Sequence, residues 1–285
     1  MGDARLKQKE LEKARKPCIF CGGQNLATTK EHCPPRSMFR DRQWPVGYDF
    51  PACESCNGGS SNSDLIVAFM AHMRLAADDA QFTAGVGLMK SVNRQVPNML
   101  ASMFLTSSNE ARMQARKLGM RPGPGQTYRD LGIANITGEM QSAVEVVAAK
   151  LTKAVYNMQT GAVFPADGGI MFLWFTNAQL LEHGKIFVLD AMASIAAMSP
   201  TISRNGKDLR DQFDYKYSTD VDGALHVMQT VFGTVFGFVT IFSQIPGRLE
   251  SIADGISNAL RDAVSPFKFL SSNSPKPSVP KPPTC

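Results

Sequence analysis

Four of the six cysteines form two pairs, Cys18-Ile-Phe-Cys21-Gly22-Gly23 and Cys53-Glu-Ser-Cys56-Asn57-Gly58-Gly59. Each C-x-x-C unit presents two thiolates from a tight turn, and the glycine that follows can take the backbone conformation such a turn requires. Four sulfurs at about 2.3 Å make the closed tetrahedral shell of a structural Zn²⁺, so Cys18, Cys21, Cys53 and Cys56 are the expected zinc ligands. A redox dithiol or buried free thiols are the other readings of such cysteines, but two units with matching glycines favour a metal. Cys33 and Cys285 have no partner at ligand spacing. A closed shell leaves no open coordination position, so any catalysis must come from groups mounted around it.

Such groups stand between the two units, in Thr29-Lys30-Glu31-His32-Cys33-Pro34-Pro35-Arg36. Here a carboxylate adjoins an imidazole, the side chain whose charge changes near neutral pH, and two prolines restrict the chain directly afterwards. Lys30, Arg36, Arg40 and Arg42 form a basic cluster around the pair. They are candidate contacts to backbone phosphates, and a solvated surface would account for them equally well.

The order C-x-x-C-G, then Glu-His followed two residues later by Pro, then C-x-x-C-Asn-Gly-Gly, resembles the HNH endonucleases of the zinc-knuckle type. Their ββα-metal motif is built on a treble-clef zinc site. The match covers residues 18–64, under a fifth of the chain. The resemblance implies that His32 is the general base activating water for attack on a phosphodiester. It makes Glu31 and Asn57 the ligands of a catalytic Mg²⁺ or Mn²⁺, both being oxygen donors that suit a hard cation. Two departures stand out. Glu31 replaces the more usual Asp, and the family's middle asparagine falls at Tyr48, so Tyr48 or the adjacent Asp49 must brace the histidine loop instead. The implied function is metal-dependent hydrolysis of DNA, with RNA as the other polymer carrying the same linkage. A zinc-dependent module that binds nucleic acid without cutting it is the alternative.

The rest of the chain must position these residues. Its 285 residues are 44% hydrophobic and 19% charged, with a net charge of +5. That balance excludes fibrous, low-complexity and wholly disordered classes, and tolerates a polyanionic partner without demanding one. Residues 17–62 are dense in Cys, Gly, Pro and Asn and need a staple to hold together. Before them, residues 5–16 alternate charge as a basic surface helix with no apolar run of secretory length, which together with the paired thiols predicts a reducing, cytoplasmic setting. After them, helices are expected over residues 62–78, 110–118 and 139–156, the last spacing Met140, Val144, Val147, Leu151 and Val155 three and four apart. β-branched and aromatic runs predict strands at residues 170–175, 185–189 and 231–242.

The fold class expected is therefore α+β. An N-terminal treble-clef ββα-metal (HNH) zinc domain would span 1–75, a mixed α+β domain 76–270 and a disordered proline-rich tail 271–285. The second domain would target, dimerise or regulate the first, with a homodimer as one arrangement. Residues 227–242 are apolar but carry Gln229, Thr230, Thr234 and Thr240 and fall short of the roughly 20 residues needed to cross a bilayer, so no stable membrane insertion is expected. His72, His183 and His226 read as structural, and Gly85-Val-Gly87 is a lone G-x-G with no preceding strand to make a nucleotide loop.

Overall fold

The computed structural model describes residues 14–73, 79–105, 107–193, 197–260 and 268–270. The tail at 271–285 and nearly all of the helix expected at 5–16 lie outside the described residues.

The first half begins with the Cys18–Cys21 turn and a two-stranded antiparallel hairpin, β1 (Thr29–His32) and β2 (Asp49–Ala52), in which Glu31 pairs with Phe50 and His32 with Asp49. Two helices follow at once, α1 (Glu54–Gly59) and α2 (Ser61–Ala71). The turn is tied to the hairpin through its backbone, Ile19 N–H donating to the Pro51 carbonyl at 3.2 Å. Gly22 sits at φ +65, and a Cβ there would lie 2.7 Å from the Ala166 nitrogen, so both backbone conformation and close approach require glycine. The Met-rich stretch beyond folds as α3 (Asp79–Gln95), α4 (Met99–Met103) and α5 (Ser108–Lys117).

The spacing read between residues 139 and 156 becomes the long helix α6 (Gly138–Thr160), capped by Thr137, whose hydroxyl accepts from Met140 N–H, and stopped by Gly161 at φ 72. From Val147 to Tyr156 this helix is buried on every side, with Thr152 touching the Thr240 hydroxyl at 3.1 Å. α6 packs against α2 on one side and against the sheet on the other.

That sheet has five antiparallel strands in the order β6 (Asp214–Thr219), β7 (His226–Phe232), β8 (Phe236–Ser243), β3 (Gly169–Thr176) and β9 (Lys268–Leu270). β8 is buried along its whole length, because α6 covers one face and the helices α8 (Phe187–Ala191) and α9 (Arg248–Leu260) pack on the other, while α7 (Asn177–His183) follows directly on β3. The apolar stretch read as one strand at 231–242 is thus the end of β7, a turn and all of β8 but its last residue. Gly237 lets them close: a Cβ there would sit 2.3 Å from the Thr230 carbonyl oxygen and 2.4 Å from the Phe175 ring. The strand expected at 185–189 is instead mostly α8, since Val188 and Met192, four apart, reach into one cluster with Met171, Leu173 and Val239. A small hairpin, β4 (Ser203–Arg204) and β5 (Lys207–Asp208), completes the second half.

The architecture is α+β, as expected, but the division near residue 75 has no counterpart in the packing. One apolar cluster contains Cys18, Phe20, Phe50 and Phe69 together with Val147, Leu151, Phe172 and Phe238. The two halves share a core because α6 has no exposed face between Val147 and Tyr156. No helix among the described residues is long and apolar enough to cross a membrane.

Candidate functional site

The four paired cysteines meet at one point. Cys53 is the N-cap of α1 and Cys56 lies in its first turn, facing the Cys18–Cys21 turn, and the four Sγ atoms lie within 4.8 Å of one another. Tetrahedral bonds of 2.3 Å place sulfurs about 3.8 Å apart, so only a small contraction brings these thiols onto a metal ion such as zinc. No other group of three or more metal-binding side chains converges in this way among the described residues. A hydrogen bond from Cys56 pulls the Cys18 thiol down to about 4, overcoming the burial that raises it. Lys153 of α6, buried and donating to the Phe20 carbonyl at 2.7 Å, sets a cation beside these thiols; burial pushes its ammonium down while Cys56, Cys18 and Cys21 oppose that. Four thiolates around a divalent ion carry two negative charges, which a nearby ammonium offsets.

Strand alternation decides the fate of the Glu31–His32 pair. Adjacent residues of β1 point to opposite faces of the hairpin. His32 and Lys30 take the outer face, and Thr29 and Glu31 the inner face against α1 and α2.

On the outer face His32 Nε2 lies 2.9 Å from Asp49 Oδ1, directly across the hairpin. Asp49 therefore contacts the histidine where the middle asparagine was missing. Tyr48 does not, because its ring is buried against Phe213 and Tyr215, 6.0 and 6.5 Å away. Trp44 meets the imidazole edge-on at 4.9 Å. Two guanidinium groups flank that indole, Arg36 at 4.8 Å and Arg204 at 4.0 Å from its ring centre, and Arg204 also donates to the Trp44 carbonyl at 2.8 Å. Arg204 arrives from β4, whose Ser203 carbonyl accepts the Val46 N–H. Burial pulls the His32 imidazole below its ordinary value; Asp49 opposes this, and Arg36, Arg204 and Arg42 push it further down. These influences together favour the neutral imidazole, which has Asp49 against one ring nitrogen and arginines around it.

No family model, curated protein or solved structure matches the chain. The chemistry of the site has to be argued from its own geometry.

Three expected residues are placed otherwise. Arg40 ion-pairs with Asp211, and its backbone N–H donates to Gln212 Oε1 at 2.7 Å, so its guanidinium fastens the hairpin loop to the second half of the chain. Asn57 uses its amide to donate to Thr29 Oγ1 at 3.0 Å and to the Lys30 carbonyl at 3.2 Å, bracing β1 against α1. Glu31 is turned inward and only 5% exposed, with its Oε1 2.7 Å from Lys150 Nζ. These residues do not fit a divalent ion shared by Glu31 and Asn57, because the Glu31 carboxylate already holds the Lys150 ammonium, while the Asn57 amide nitrogen is held by Thr29 and Lys30.

The residues missed from sequence alone are Arg204, Trp44, Lys150 and Asp64. Lys150 donates to Glu31 Oε1 at 2.7 Å, to Ser60 Oγ at 2.7 Å and to both oxygens of Asp64 at 2.9 Å. Ser60 in turn donates to Asp64 Oδ2 at 2.9 Å. Burial opposes the charge on Lys150, yet Asp64 and Glu31 outweigh it and hold the ammonium above its ordinary range. Burial also pushes the Glu31 carboxyl up, to about 7, against the pull of Lys150. Lys150, with Lys153, in a largely apolar run of α6 was the one sequence signal of this cage.

Proposed function

We propose that the chain is a phosphodiester hydrolase of the HNH type, acting on DNA, with the four cysteines as a structural zinc site in a treble-clef setting. The contact between His32 Nε2 and Asp49 Oδ1, within a ring of arginines, carries this reading. With its Nε2–H donated to Asp49, the imidazole has its lone pair on Nδ1, and that atom accepts the proton of the attacking water. The water oxygen then bonds to phosphorus as the bond to the leaving sugar oxygen breaks, and the departing alkoxide takes up a proton from solvent. Arg36, Arg42 and Arg204 supply fixed positive charge for the phosphate as negative charge builds on it. Zinc holds the knuckle, and through Cys53 and Cys56 the start of α1, against the hairpin that carries His32. The reaction makes no use of Mg²⁺ or Mn²⁺ at Glu31 and Asn57.

The second half completes the site rather than serving as a detached targeting unit, since it supplies Arg204 on one face of the hairpin and Lys150 on the other. Supercoiled plasmid incubated with zinc-loaded protein tests the reading. Nicking by the wild type that disappears in His32→Ala supports it, and equal nicking by both, or none by either, overturns it.

A further inference from the structure

The cage around Lys150 has the donor set of a hard-cation site. Two carboxylates and a hydroxyl converge within the core, and oxygen ligands of this kind suit Mg²⁺, Mn²⁺ or Ca²⁺. The cation they hold is instead an ammonium from helix α6, joined to Glu31 across 119 residues of sequence. Its three N–H donors meet three groups, Glu31, Ser60 and Asp64, so the ammonium has no donor left over. The lysine side chain is 10% exposed and those of Glu31 and Asp64 are 6% and 15% exposed, so the cage is largely shut off from solvent.

We propose that the Lys150 ammonium is the resident cation of the Glu31–Ser60–Asp64 cage, standing where a divalent metal would otherwise bind and keeping that metal out. The cage lies behind β1, so a fixed cation there holds Glu31 inward and, by strand alternation, His32 outward. Lys150 is in this sense a positioning residue for the histidine. A covalently attached cation also cannot be lost to chelators or diluted away. It follows that hydrolysis at His32 needs no divalent ion at Glu31. That consequence rests on the proposed hydrolase; the cation assignment does not.

The test is Mn²⁺ uptake by the zinc-loaded full chain, read from the electron paramagnetic resonance of free Mn²⁺. Wild type and Glu31→Gln are expected to give the same titration, with no uptake that depends on Glu31. Lys150→Ala empties the cage and is expected to take up one ion per chain, and Lys150→Ala with Glu31→Gln to lose it again. Uptake by the wild type that Glu31→Gln abolishes overturns the proposal, as does a zinc-retaining, folded Lys150→Ala that takes up nothing. If Lys150→Ala does not fold, the wild type decides through the ¹⁵N resonance of its Lys150 ammonium. Excess Mn²⁺ leaves that signal sharp if the ammonium holds the cage and broadens it beyond detection if the metal enters. Plasmid nicking with zinc as the sole metal is a separate readout: its absence in a chain that passes the Mn²⁺ test counts against the hydrolase and not against the cation assignment.

Discussion

Replacing Lys150 by Met keeps the volume and length of the side chain but removes the charge that neutralises Glu31 and Asp64. The two carboxylates then face each other in a cage where Glu31 is 5% exposed. Breaking a buried ion pair from one side costs about 3–5 kcal/mol, because the partner charge is left uncompensated. Whole domains are stable by about 5–15 kcal/mol, so the loss is about a fifth or more of the total. At roughly 2–3 °C per kcal/mol for a chain of this size, the thermal midpoint at neutral pH falls by about 6–15 °C. Part of the loss returns on acidification, since protonating Glu31 removes the repulsion. The double variant Lys150→Met with Glu31→Gln should be more stable than Lys150→Met alone, giving a coupling energy well above the ~0.2–1 kcal/mol of an exposed pair. Urea and thermal unfolding of the four proteins measure this. A cost below about 1 kcal/mol, the range of a solvent-screened pair, refutes a cage that joins the two halves through a buried charge.

Other consequences are equally open to measurement. Removing zinc with a strong chelator, or changing Cys56 to Ser, should unfold residues 17–59 and open them to protease, because structural zinc contributes about 10–16 kcal/mol to comparable small sites; full protection without the metal would contradict the staple. Arg204→Ala should weaken DNA binding and reduce the slope of log affinity against log salt by about one, while Arg40→Ala, whose guanidinium is engaged by Asp211, should leave that slope unchanged. Burial pushes His226 below its ordinary value, and it sits with Nδ1 2.7 Å from the Tyr217 hydroxyl and Nε2 3.0 Å from Gln244 Oε1. The unfolded state therefore binds its proton first as pH falls, so stability should decline below about pH 6.5, and a His226→Gln variant should lose that part of the decline.

The four-cysteine cluster was legible because its spacing is local: two C-x-x-C units and their glycines specify two short turns whatever the rest of the chain does. The start of α2, and α5 and α6, were legible from composition and periodicity, while the hairpin was implied only by the resemblance. His32 could be singled out by its neighbours, and Asp49 stood beside the position where a brace was missing. Lys150 was not legible, because nothing in its surroundings names a partner 119 residues earlier. Arg204 lies in a two-residue strand with no pattern of its own and reaches the site only through the pairing of Ser203 with Val46. Glu31 was expected as a metal ligand from the resemblance alone, whereas strand alternation turns it away from His32 and onto Lys150. Residues 185–189 were taken for a strand because a short apolar run has no period long enough to tell strand from helix.

The most direct test of the account is the pH dependence of plasmid nicking by the wild type, His32→Ala and Asp49→Asn. Nicking by the wild type should rise with pH through a midpoint below about 6.5, the ordinary histidine value, because burial and the arginines favour the neutral imidazole. His32→Ala should lose about 10²–10⁴-fold and the midpoint with it. Since Asp49 is the group that pulls the imidazole upward, Asp49→Asn should move the midpoint lower still and reduce the plateau. A profile that is unchanged in either variant would contradict the assignment of His32 and Asp49 as the catalytic pair.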